Sequence, residues 1–332
     1  MRRILRAGDL TVVLSLSASI AWAAVPSADD LLKDVGYSPD EIASIKAGTI
    51  VRRETKGAGD RDLTTGFAFF VKVPPAALTK RLKGGVLLAI DANSLGTATL
   101  SPAGAAAAFA KLELKPDTEA RVKRYLSAKP GVDLNLSSAE LAELTKLGPS
   151  ATAPAVEAQV RKALLARYQA YRARGLPGIA GYDRGDGKVR APGDELTQVM
   201  KTLPLQKYAP AAWAAMMNYP GQRVARSEEV FRWEQFKANG APTIALSHGI
   251  SVPDGDAFLV LQRQYYVSEG FNCEQAIAAL LPVEGGTVVV YSNHTSTDQV
   301  EGVAGGTKRS IGRGMMASQL ETLFGELQRQ VK

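Results

Sequence analysis

The chain has 332 residues, of which 45% are hydrophobic and 22% charged, a balance that supports a sizeable core and excludes wholesale disorder. Its net charge of +7 is spread along the sequence and gathered into no basic stripe, so nucleic acid is not an expected partner. A single cysteine, Cys273, and two histidines exclude an internal disulfide and leave too few ligands for a zinc site.

The chain opens on a basic stretch (Arg2, Arg3, Arg6), followed by an apolar run over residues 10–20 and a small-x-small pattern at Ala21-Trp22-Ala23. This is the pattern of a cleaved signal peptide over residues 1–23, and the run falls short of the roughly 20 apolar residues that a membrane span needs. The expected location is periplasmic or secreted. Losing three Arg and one Asp with the leader lowers the charge from +7 to +5.

Residues 24–100 read as an N-terminal helix and the first strands of a sheet. Ser38-Pro39-Asp40-Glu41 has the spacing of a capping box with proline at the first helical position. Residues 49–55 and 63–73 read as a hairpin around the turn KGAGDRD. Pro74-Pro75 stops the second strand and AALTKRL starts a short helix; residues 86–90 are too short to type.

Residues 101–220 read as mostly helical. Ser137 and Glu140 have capping-box spacing. Over residues 154–174, Val156, Val160, Leu164, Tyr168 and Tyr171 recur at helical intervals, and Gly175 ends the helix. Residues 178–193 read as a loop, with helices over 194–202 and 209–217. Residues 221–332 carry the remaining strands and a terminal helix. Residues 228–237 are strand-like, and four further runs, APTIALSHGISV, DAFLVLQRQYYVS, CEQAIAALLPV and GTVVVYSNHTST, are separated by turn-forming PDGD, GFN and EGG. Met316, Leu320, Leu323, Phe324, Leu327 and Val331 then form one wide apolar stripe on the last helix, which must bury against the neighbouring sheet.

Chemistry-bearing patterns are sparse. Ala245-Leu246-Ser247-His248-Gly249 matches a variant nucleophile elbow, with His294 later in the chain, but the elbow requires a helix directly after the turn and Ile250-Ser251-Val252 continues a strand. A serine hydrolase using Ser247 and His294 is therefore the alternative reading. His248 shares its strand parity with Leu246 and Ile250, which puts all three on one face. Gln262, Gln264 and Tyr266 alternate on the next run, as either a ligand-contacting row or an outward polar face. Tyr291, Asn293, His294 and Asp298, with Lys308 and Arg309 beyond, form either a polar mouth or capping chemistry. Asn135 and Asn293 stand in glycosylation sequons, and Gly305-Gly306-Thr307-Lys308 lacks the glycine that a phosphate loop places before its lysine. Cys273 reads as a small core residue.

The segment FAFFVKVPPAALTKRL resembles the opening of START-related helix-grip proteins, and the late strands and terminal helix resemble the end of that fold. RYQAYRARGLPGIAGY, LSHGISV, RQYYVSEGFN and YSNHTSTDQVEG are similar to stretches of an exported bacterial protein family. The resemblance implies an α+β fold: a curved antiparallel sheet wrapped around a long C-terminal helix, one domain overall, interrupted by the helical insertion over 101–220. It also implies a cavity for a lipid or other hydrophobic small molecule. The expected function is binding or carriage of such a molecule, with His248, Gln264, Tyr266, Tyr291 and Asn293 as ligand contacts. No catalytic residue, cofactor or metal is expected, and peripheral membrane contact is a secondary expectation. A non-catalytic envelope protein docking a partner through an apolar patch on residues 154–217 is the third reading.

Overall fold

The computed structural model describes residues 26–302 and 304–331; the expected signal peptide over residues 1–23 lies outside the described residues. Two short helices come first, α1 (Ala28–Asp34) and α2 (Pro39–Lys46). The capping box at α2 forms as its spacing predicts: Ser38 Oγ accepts from the Glu41 N–H at 3.2 Å and Glu41 Oε2 accepts from the Ser38 N–H at 2.7 Å. The predicted hairpin follows as β1 (Val51–Arg53) and β2 (Asp62–Val71), paired antiparallel.

After the proline stop come α3 (Pro75–Lys83) and α4 (Val86–Ile90), which was too short to type from sequence. β3 (Ser94–Leu100) was not anticipated; in its sequence SLGTATL the large apolar residues, Leu95 and Leu100, have opposite parity and give no strand alternation, and it forms an edge strand with a register irregularity between Ser94 and Gly96. The helical stretch then runs through α5 (Ala105–Phe109), α6 (Thr118–Leu126), α7 (Ser138–Thr145) and α8 (Ala153–Arg174). All five stripe residues of α8 are buried. Gly175 ends α8 at φ +63, where a Cβ would stand 1.8 Å from the Tyr219 carbonyl oxygen, so only glycine fits. The expected loop over 178–193 contains a two-residue ladder, β4 (Tyr182–Asp183) with β5 (Val189–Arg190). Helices α9 (Pro192–Thr202), α10 (Leu205–Tyr208) and α11 (Pro210–Met217) complete this half.

Five long strands then form a meander: β6 (Glu228–Ala238), β7 (Ala241–Asp254), β8 (Ala257–Val267), β9 (Cys273–Val283) and β10 (Gly286–Ser296). Asn239-Gly240 joins β6 to β7 with both residues at positive φ (50° and 83°), the two-residue hairpin turn whose twist matches the strands. The chain ends in α12 (Gly305–Gln330).

The strands make one eight-stranded antiparallel sheet in the order β1-β2-β10-β9-β8-β7-β6-β3. β2 and β3 therefore lie at opposite ends of the meander, and α3 and α4 cross one sheet face between them. α12 packs on that same face, where Phe324 stacks on Phe69 at 4.6 Å and meets Phe67 edge-on at 5.5 Å. The other face carries α1 and α2 near β2 and β10, and α5 to α11 over the rest. The protein is thus α+β in three layers, with the sheet buried on both faces.

Candidate functional site

The sheet face beneath α3, α4 and α12 is not filled. β9 turns Glu274, Ala276, Ala278 and Leu280 toward it, and β7 contributes Gly249. These small side chains stand opposite Leu78 and Leu82 of α3, Leu87 and Leu88 of α4, and Leu320, Leu323 and Phe324 of α12, leaving a cavity of about 260 Å³. Its walls are apolar because α3, α4 and the last turns of α12 present leucines to it.

One end of the cavity is polar. Ser247 pairs across the strands with Gln264, Gln264 with Glu274, and Glu274 with Thr295, so one polar row crosses β7 to β10. Glu234 on β6 extends it: Glu234 Oε1 accepts from Ser247 Oγ at 2.6 Å and Oε2 from Gln264 Nε2 at 3.1 Å. Glu274 Oε2 accepts from Asn293 Nδ2 and Thr295 Oγ1, each at 3.3 Å. Burial pushes the Glu274 carboxyl up to about 7, against the amide of Asn293 and with the help of the Glu234 charge. Burial also raises Glu234, opposed by its bond from Ser247 and by Arg232. Glu274 is half-buried and lines the cavity.

The chain matches no family model, no curated protein and no solved structure.

Of the five expected ligand contacts, Gln264 and Tyr291 line this cavity. Asn293 lies behind Glu274, held by it and by Met316 Sδ at 3.8 Å. His248 and Tyr266 face the opposite side of the sheet. His248 does share a face with Leu246 and Ile250, but that face is covered by the helical half: its ring stacks on Phe231 at 4.2 Å and its Nδ1 lies 3.0 Å from Tyr171 Oη. Tyr266 is displaced by a bulge. Leu246 pairs with Tyr266 and Ser247 with Gln264, so Tyr265 is the extra residue and the alternation from Gln264 breaks. Tyr266 instead packs under Arg167, whose guanidinium sits 4.3 Å from its ring centre.

The hydrolase pair does not meet. Ser247 is on β7, facing the cavity, and His294 is on β10, facing the other way with Nδ1 2.7 Å from Asp62 Oδ2. β8 and β9 lie between them, a separation of roughly 14 Å at normal strand spacing. The polar mouth near the end of β10 is largely internal: Asp298 is bridged by Arg184 at 2.9 Å and Arg190 at 2.7 Å. Both sequon asparagines are buried with their amides donating, Asn135 Nδ2 to the carbonyls of Val267 and Phe271. Cys273 is buried with Sγ 3.8 Å from Glu195 Oε2, and burial pushes its thiol well up. Among the described residues, no group of three or more His, Cys, Asp or Glu is placed to hold a metal, and no helix is long and apolar enough to cross a membrane.

Glu234 and Glu274 escaped sequence reasoning. The signal was present in CEQAIAALLPV: a carboxylate at the head of an apolar strand, followed at the same parity by two alanines, marks a charged group beside empty space.

Glu274 and His248 give opposite pH dependences. Glu274 rises from 4.5 to about 7 on folding, so between these values the native state holds a proton that the unfolded chain lacks, and stability falls as pH rises. Burial, with the charges of Arg263, Arg172 and Arg223, holds His248 well below 6.5, so stability is lost as pH falls below that value. Relative to wild type, Glu274→Gln is expected to gain stability from pH 4.5 to 7, at up to about 1.4 kcal/mol per pH unit. His248→Gln is expected to gain on the wild type as pH falls below 6.5. Urea titrations across this range check both; pH profiles parallel to wild type would show that neither group is desolvated as described.

Proposed function

We propose that the chain is an exported binding or carrier protein for a small hydrophobic molecule, held between the sheet and α12 as in a helix-grip fold. The observation that carries this reading is the hollow itself: α12 lies on the sheet, yet small residues beneath it leave about 260 Å³ open between apolar walls. That volume lies just below the roughly 300–1,000 Å³ that ligand cavities span, and favours a compact molecule over a two-chain lipid. The strand order adds support, because α3 and α4 connect strands at opposite ends of the sheet and line the hollow together with α12.

A docking role for the helical half has less behind it. Within residues 154–217, Val189 is the one large hydrophobic residue that stands exposed, well short of an apolar patch.

Ala276→Phe is the direct test. The ring would enter the cavity and remove the space, at an overpacking penalty of about 1–3 kcal/mol that its own burial offsets. Binding of a small amphiphile such as octanol, followed by calorimetry, is expected in the wild type and lost in the folded variant. A wild type that takes up no such probe, or a variant that binds it equally well, would remove the carrier reading.

A further inference from the structure

We propose that the cavity selects a cationic amphiphile, an organic amine whose ammonium group docks between Glu234, Gln264 and Glu274 while its apolar body lies against Leu78, Leu323 and Phe324. The inference rests on the binding role proposed above and specifies the head group.

The argument is one of donor and acceptor supply. The polar row contains two carboxylates, and the groups that donate to them are the hydroxyls of Ser247 and Thr295 and the amides of Gln264 and Asn293. Among the described residues neither carboxylate has an ion-pair partner within 4.0 Å, whereas other carboxylates of these residues, such as Glu140, Glu195 and Asp298, are paired with arginines. Arg232, on the same side of β6, instead donates to the Lys83 carbonyl.

A second feature points the same way. Gln264 is 7% exposed and lines the cavity, and its Nε2 is committed to Glu234. Its carbonyl oxygen Oε1 is therefore turned away from Glu234, buried and without a partner. Buried acceptors of this kind are normally satisfied. The site thus has a surplus acceptor and two carboxylates without a paired cation next to apolar walls. A donor-rich cation supplies what is missing, and it restores charge balance to two desolvated carboxylates. A carboxylate ligand would repel both glutamates, and an alcohol would bring a single donor and no charge. Among the described residues no group of three or more His, Cys, Asp or Glu comes together to hold a bare divalent ion.

The charged and titratable groups that face the cavity are Glu234, Glu274, Glu228, Asp91, Tyr291, Arg232 and Lys83. Arg232 and Lys83 stand on the α3 and β6 side of the cavity with Glu228 and Asp91, whereas Glu274 and Tyr291 come from β9 and β10. Since the ammonium stays charged and the glutamates do not, binding should take up the carboxylate form and release a proton on the acid side.

The experiment uses the full chain and three probes of equal length, octylamine, octanol and sodium octanoate, titrated by calorimetry at about pH 8 and about pH 5.5, which lie well below the ammonium pKa. Octylamine is expected to bind tightest at the higher pH, by roughly tenfold or more over octanol, as charge-assisted hydrogen bonds imply, and to lose that margin at the lower pH. Glu274→Gln should shrink the octylamine-to-octanol ratio by a similar factor, and Gln264→Leu should shrink it as well. Equal affinity for octylamine and octanol, tighter binding of octanoate, or a ratio indifferent to both variants would overturn the head-group assignment and leave the carrier reading standing. Binding of none of the three would overturn both.

Discussion

Phe324→Ala is expected to lower the unfolding free energy by about 3–5 kcal/mol, the range for deleting a buried phenylalanine ring. Phe324 is 3% exposed and is the pin that holds α12 to the sheet. Its ring stacks on Phe69 at 4.6 Å, meets Phe67 edge-on at 5.5 Å and meets Tyr291 edge-on at 4.9 Å. Such aromatic pairs contribute about 0.5–1.5 kcal/mol each beyond the area they bury. The helix has few substitutes for this anchor: its described buried residues are Ala317, Phe324 and Leu327, and Ile311 and Met315 project into solvent. Because Phe324 also lines the cavity, probe affinity should fall along with stability. Urea denaturation measures the first effect and calorimetry the second. A change in stability below about 1 kcal/mol, small for a core deletion, would mean that α12 is held elsewhere.

The second large effect lies in the helical half. Glu140→Ala is expected to destabilise by about 3–5 kcal/mol, because it strands a buried cation. Glu140 receives two bonds from Arg167, Nε to Oε1 at 2.7 Å and Nη2 to Oε2 at 2.6 Å, and it closes the capping box of α7 by accepting from the Ser137 N–H at 2.7 Å. Arg167 is 6% exposed, packed against the rings of Tyr266 and Tyr182, and also donates to the Ala180 carbonyl. Without Glu140 its charge has no counter-ion within the core. Arg167→Met combined with Glu140→Leu should recover much of the loss, since an apolar pair of similar bulk avoids the desolvation penalty. A double-mutant cycle with no coupling between the two positions would contradict this account.

Several features of this fold were readable because they are local. The capping boxes at Ser38 and Ser137 depend on four consecutive residues, and the stripe from Val156 to Tyr171 on one helical period. The late strands were readable from turn residues that bracket them. The antiparallel sheet, without β3, and the terminal helix therefore emerged in outline. What failed was the assignment of faces. β7 and β8 are buried on both sides, so polar and apolar residues do not alternate with solvent, and parity alone could not say whether His248 pointed toward α12 or α8. The bulge at Tyr265 is invisible in RQYYVS because it depends on the partner strand. In β3 Leu95 and Leu100 fall at opposite parity and give no alternation, and its place beside β6 is set by a register almost 140 residues distant in sequence. The candidate site suffered most, since Glu234 and Glu274 come from strands three positions apart in the sheet and become neighbours in chemistry only once the cavity is formed.

The split of the early strands to the two ends of the meander bears on how the chain is made. β2 and β3 leave the ribosome early, yet the strands that flank them, β10 and β6, follow only after the whole helical half. Until then each offers an unsatisfied backbone edge, the feature that invites pairing with foreign chains. Topologies of this kind, rich in contacts between distant parts of the sequence, close slowly. The hinge of productive folding is thus the arrival of the last third of the molecule, and any truncation before Gly286 would release a nascent protein with sticky margins and no lid.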